Sequence, residues 1–121
     1  MHREIAGLAV GVAVGNAYGV AFHSTVLGRL DVDNGDIEAM RSGAEPRDEI
    51  QAAVYAFARA LVIDRGAMTE AIAQRAADAG LQPSDLLQLV AECAFATLVG
   101  LVDNLLGGVE LDEFLRPQAW K

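Results

Sequence analysis

The stretch GLAVGVAVGNAYG, residues 7–19, sets glycine at every fourth position (Gly7, Gly11, Gly15 and Gly19) inside an apolar run from Ile5 to Phe22. Whether this run spans a bilayer or packs inside a helical bundle sets the architecture of the whole chain. About 18 apolar residues are near the minimum that crosses a bilayer, and small residues four apart pack membrane helices as well as soluble ones. Three features favour a buried soluble helix. Glu4 stands beside Arg3 in the opening MHRE, no Ala-x-Ala-like cleavage site follows the run, and Asn16 interrupts it. Glycine weakens a helix interior and asparagine is a preferred N-cap, so Gly15-Asn16 divides the segment Arg3–Leu30 into two helices or one sharply kinked helix.

The rest of the 121 residues read the same way. Alanine and leucine dominate, β-branched alternation is scarce and turn signals are widely spaced, which predicts an all-α single domain over residues 1–121. DVDNGD (31–36) reads as a loop, and Asp36–Arg41 as a short helix closed by Ser42-Gly43. A longer helix is expected from Asp48 to Asp64, with Ile50, Val54, Phe57, Ala58 and Leu61 on one face. Thr69 caps a helix to Ala79, which Gly80 stops. Pro83-Ser84-Asp85 opens the last long helix, with Ser84 as cap and Asp85 complementing the dipole. Leu86, Val90, Cys93/Ala94, Leu98, Leu101 and Leu105 recur there at helical spacing, widened by Leu87, Val102 and Leu106, so the helix is expected to be largely buried up to Gly107-Gly108. LDEFLRP makes a terminal turn before the tail Gln118–Lys121.

Charge and cysteine count narrow the function classes. The formal net charge is −8, and no Lys/Arg cluster offers a phosphate-tracking surface, which argues against nucleic acid and anionic membranes as partners. A single cysteine, Cys93, excludes an internal disulfide framework and fits a reducing cytoplasm. Its apolar surroundings, LVAECAFATLVG, predict a buried structural thiol. There is no Walker loop, no Gly-x-Gly-x-x-Gly, no His-Glu-x-x-His and no Cys-x-x-Cys. DVDNGD fails as a calcium loop, with glycine at the fifth ligand position and Ser42 where the closing glutamate belongs. Neither metal nor cofactor is expected.

The informative constellation is Glu4, Asn16, Gly19 and His23. If Asn16 begins a helix, its free N–H groups and dipole favour negative charge, and His23 lies one turn beyond Gly19 on the same face. In one continuous helix Glu4 and His23 would be about 28 Å apart, so they meet only if the chain bends near Gly15 or if separate subunits supply them. Unpaired, Glu4 is a surface residue and His23 an ordinary core histidine. Tyr18, Phe22, Tyr55, Phe57 and Phe95 either line a pocket or build the core.

This arrangement, Glu-x11-Asn-x2-Gly-x3-His, resembles the site pattern Glu-x11-Cys-x2-Cys-x3-His of the AhpD-like alkylhydroperoxidases in the carboxymuconolactone decarboxylase superfamily. The resemblance continues through DIEAMRSG, DEIQAAVYAFARAL, AADAGLQPSDLLQLVAECAF and VDNLLGGVELDEF, nearly the whole chain. It implies an AhpD-like helical bundle assembled as a trimer or hexamer, with Glu4 and His23 at the proton-relay positions and Asn16 and Gly19 at the two cysteine positions. Asp31 departs from a glycine usual after the histidine helix, and the 121 residues begin close to the expected site helix. Neither Asn16 nor Gly19 can form a sulfenate or disulfide, so the thiol cycle cannot run there. Three functions follow as expectations: a non-redox small-molecule-binding protein or pseudoenzyme; an enzyme using His23 as general acid or base, oriented by Glu4, on a lactone or other carbonyl; and residual peroxidase activity through Cys93.

Overall fold

The computed structural model describes all 121 residues and is helical throughout, without strands. The opening run folds into two helices, α1 (His2–Ala13) and α2 (Ala17–Arg29), joined by a three-residue turn. Gly15 makes the turn with φ +66°, a left-handed conformation that glycine adopts without a steric penalty. Asn16 then caps α2 through its side-chain oxygen, which accepts the Gly19 N–H at 2.7 Å. A Cβ at Gly11 would press on Val20 at 3.2 Å, and one at Gly7 would overlap the His23 ring. Such pairing of early with late positions is that of an antiparallel hairpin, and the glycines set how closely its arms approach.

Every residue from Ile5 to Gly11 is buried, as expected of a core helix. α1 packs on α2 and also on α4 (Glu49–Ile63) and α6 (Pro83–Leu105), so it forms the axis of the bundle. One cluster of buried side chains runs through all six helices, including Leu8 and Val10 of α1, Leu27 of α2, Met40 of α3 (Asn34–Arg41), Tyr55 of α4 and Ala76 of α5 (Glu70–Asp78). Tyr55 completes its burial by donating its hydroxyl to the Met40 carbonyl at 2.9 Å.

Several local expectations are corrected. α3 begins at Asn34 rather than Asp36, because Asp33 is the cap and accepts the Gly35 N–H at 2.8 Å. Asp36 is thereby free to accept from the backbone and side chain of Arg47, at 3.0 and 2.9 Å. Ile50 is 46% exposed, since it lies in the first turn of α4, ahead of the buried residues Val54, Phe57 and Ala58 on the same face. Ser84 does not cap α6: Pro83, which lacks an N–H, takes the first helical position, and the Asp85 carboxylate reaches back to the Gln82 N–H at 2.7 Å. Thr69 caps α5 as its position predicts, accepting from the Ile72 N–H.

The largest correction concerns the burial of α6. Only Leu89, Cys93 and Gly100 are buried, with Ala96 partly covered between them. Leu98, Leu101 and Leu105 stand 61%, 54% and 84% exposed. Between Glu92 and Asp103 only Thr97 is polar, so the sequence there does not choose which stripe meets the core. α6 is also long and apolar enough to cross a membrane, with a mean hydropathy of 1.7 over its best window, 17% of which is buried.

The chain closes with a 3₁₀ turn, Glu113–Gln118, whose Leu115 is fully buried. Arg41 fastens the tail. Its guanidinium donates to the carbonyls of Gln118 and Ala119, both at 2.9 Å, and to Ser24 Oγ at 3.1 Å, while Trp120 Nε1 donates back to the Arg41 carbonyl.

Candidate functional site

Glu4 lies in the first turn of α1 and His23 midway along α2, and the hairpin brings them together: His23 Nδ1 and Glu4 Oε2 are 2.8 Å apart. A carboxylate only accepts, so in the neutral imidazole Nδ1 carries the hydrogen and Nε2 keeps its lone pair. Nε2 makes no hydrogen bond within the protein. The ring rests on Gly7, where any side chain would displace it, and its edge meets Phe22 at a centroid distance of 5.2 Å with the planes nearly perpendicular. The alternative of an unpaired surface glutamate is therefore excluded.

The pair opens onto a cavity of about 740 Å³ between the hairpin and α6. Glu4, His23, Asn16 and Gly19 all line it, joined by Tyr18 and Phe22 from α2 and by Phe95, Val99 and Val102 from α6. The four residues of the constellation and the two α2 aromatics thus share one space. Of the candidate aromatic residues, Phe95 joins this wall, whereas Tyr55 and Phe57 belong to the core.

Asn16 is more than a cap. Its Nδ2 donates to Asp103 Oδ2 at 2.6 Å and to Asn104 Oδ1 at 3.0 Å, and Asn104 in turn donates to the Val14 carbonyl at 2.8 Å. The turn of the hairpin is thereby clasped to the end of α6, and Asn16 is 4% exposed. The expectation of N–H groups open to a negative charge is corrected in part, because the Gly19 N–H is taken by Asn16 itself. A carboxylate, Asp103, already lies next to this helix end, and it also accepts the Val109 N–H at 2.8 Å.

Charged groups ring the cavity. Arg3 pairs with Glu92 at 3.2 Å. Tyr18 donates its hydroxyl to Asp112 at 2.8 Å, and this bond, with some desolvation and the negative charge of Asp112 and Asp103, raises the phenol above its ordinary value. Cys93 does not line this cavity. It is buried, and desolvation together with the charge of Glu92 pushes its thiol up to about 11. Such a thiol is almost wholly protonated at neutral pH and is not a nucleophile.

No group of three His, Cys, Asp or Glu side chains is arranged to hold a metal ion. In DVDNGD, Asp33 and Asp36 are engaged as cap and as partners of Arg47. Sequence reasoning missed Asp103, Asn104 and, apart from Phe95, the α6 wall. The only local signal was the polar pair Asp103-Asn104 at the end of an otherwise apolar helix. No known family model matches this chain, and no curated protein matches it either.

Proposed function

We propose that this chain is an AhpD-like protein of the carboxymuconolactone decarboxylase superfamily whose thiol site has become a non-redox binding site, making it a small-molecule-binding protein or pseudoenzyme. The observation that carries this reading is the Glu4–His23 pair lining the same cavity as Asn16 and Gly19. A volume of about 740 Å³, apolar for most of its wall and polar at a few fixed points, has the character of a small-molecule site. Asn16 and Gly19 occupy the cysteine positions of the family pattern and carry no thiol, and the Asn16 amide holds the fold instead.

A second reading is an acid–base enzyme acting on a lactone or other carbonyl compound. It is favoured by one feature: Glu4 holds Nδ1, leaving Nε2 free to take or return a proton. In this reading Glu4 orients the ring and stabilises the imidazolium that forms. Peroxidase activity through Cys93 has no support in the thiol's burial.

The same family reading carries a cytoplasmic homo-oligomer, a trimer or hexamer. The exposed apolar face of α6 supports it, since Leu98, Leu101 and Leu105 would be covered by further copies of the chain.

The deciding experiment follows the His23 imidazole resonances while a fragment library and simple lactones are added to the native protein and to His23→Ala. Ligands that shift the resonances without turnover support the binding protein. Turnover that vanishes in His23→Ala supports the enzyme instead. Absence of both binding and turnover overturns both.

A further inference from the structure

The charges around the cavity select among ligands. Glu4, Glu92 and Asp103 contribute three carboxylates, against which stands one guanidinium, Arg3, already bound to Glu92. His23 adds an acceptor, because Nδ1 is held by Glu4 and Nε2 has no protein partner. The start of α2, where an anion would otherwise settle, is served by the amide oxygen of Asn16 and has the Asp103 carboxylate 2.6 Å from the amide nitrogen. Two aromatic rings, Phe22 and Phe95, stand 36% and 63% exposed on the walls and offer faces that attract a cation.

Resting on the reading of this cavity as a small-molecule site, we infer that its ligand is a protonated amine on an apolar body, whose ammonium group donates toward His23 Nε2 and the neighbouring carboxylates while the body lies along Phe22, Phe95 and Val99. An ammonium satisfies the two demands together: it donates to an acceptor and it answers uncompensated negative charge. A neutral alcohol meets only the first, and a carboxylate meets neither. A free anion entering this space would face Glu4 and Asp103 with no unpaired cation to receive it.

The test compares three probes with one aromatic body, 2-naphthylmethylamine, 2-naphthalenemethanol and 2-naphthoate, titrated into the full chain at pH 7.5 by calorimetry and by the His23 imidazole resonances. The amine is expected to bind at least about tenfold tighter than the alcohol, with the carboxylate weakest, from charge pairing at short range in a partly desolvated site. Added salt weakens the amine and leaves the alcohol unchanged. Glu92→Gln, which frees Arg3, narrows the gap between amine and alcohol and strengthens the carboxylate. If the alcohol or the carboxylate shifts the His23 signal and binds as tightly as the amine, the amine inference falls while the cavity stands as a binding site. If none of the three shifts it, the small-molecule reading falls and the inference with it.

Discussion

Replacing Gly7 by alanine sets two effects of opposite sign against each other. In a helix interior alanine is favoured over glycine by about 1 kcal/mol, so propensity alone predicts a more stable protein. At Gly7, however, the new Cβ would overlap the His23 ring. Either the packed hairpin spreads, at about 1–3 kcal/mol for overpacking, or the imidazole swings away and surrenders its bond to Glu4, worth about 1.5–3 kcal/mol for a charged acceptor. The net expectation is a loss of up to about 2 kcal/mol, or up to about 8 °C in Tm for a chain of this size. Gly28 supplies the control: it lies in α2 with nothing within 4 Å of the place a Cβ would take, so Gly28→Ala should raise Tm slightly. Thermal unfolding gives the stabilities, and the imidazole resonances report whether His23 has moved. A Gly7→Ala protein with raised Tm and an unmoved His23 signal would refute the claim that glycine there seats the ring.

Four other outcomes are expected. Arg41→Met strands the Gln118 and Ala119 carbonyls and should cost about 2–4 kcal/mol, with the tail becoming the first site of limited proteolysis; a loss under about 0.5 kcal/mol would contradict its role as fastener. Arg47 and Arg75 hold Asp36 and Glu45 below the ordinary carboxylate range, so stability from these pairs is present above that range and is lost as pH falls through the lowered values. The double variant Arg47→Ala, Arg75→Ala should therefore be less stable than the native protein at pH 7, with the difference narrowing as acid protonates the two carboxylates in urea titrations; a gap that does not narrow with falling pH would count against the pairs. Cys93 should resist iodoacetamide at pH 8 until the protein unfolds, and rapid native-state alkylation would show that its thiol is neither buried nor raised. Leu101→Glu should shift the mass seen by light scattering toward the monomer, and an unchanged mass would remove α6 from the proposed assembly.

The hairpin was legible because its break depends on local chemistry: glycine for a positive φ, then asparagine for a cap. Given that bend, the approach of Glu4 to His23 follows from helix geometry, and sequence reasoning stated it only as a condition. The partners of Asn16 were not legible. Asp103 and Asn104 are separated from it by 87 and 88 positions, and no periodicity connects side chains across such a distance. α6 misled for a different reason. Hydrophobic spacing picks out a face only when the other face is polar, and here Leu89, Cys93 and Gly100 turn inward although Leu98 and Leu101 are at least as apolar. Ser84 was misplaced by one general preference overruling another, since Pro83 at the first helical position moves the cap back to Gln82.

The triple bonding of Asn16 bears on whether this position could accept a thiol. A cysteine at that position would leave the Gly19 N–H without its acceptor and cut the turn loose from Asp103 and Asn104, before any second cysteine at position 19 could be of use. Single steps toward a disulfide chemistry therefore pass through a loosened hairpin, with neither the old clasp nor the new reactivity in place. The turn depends on this amide, so replacing it first requires another fastening between α6 and the hairpin.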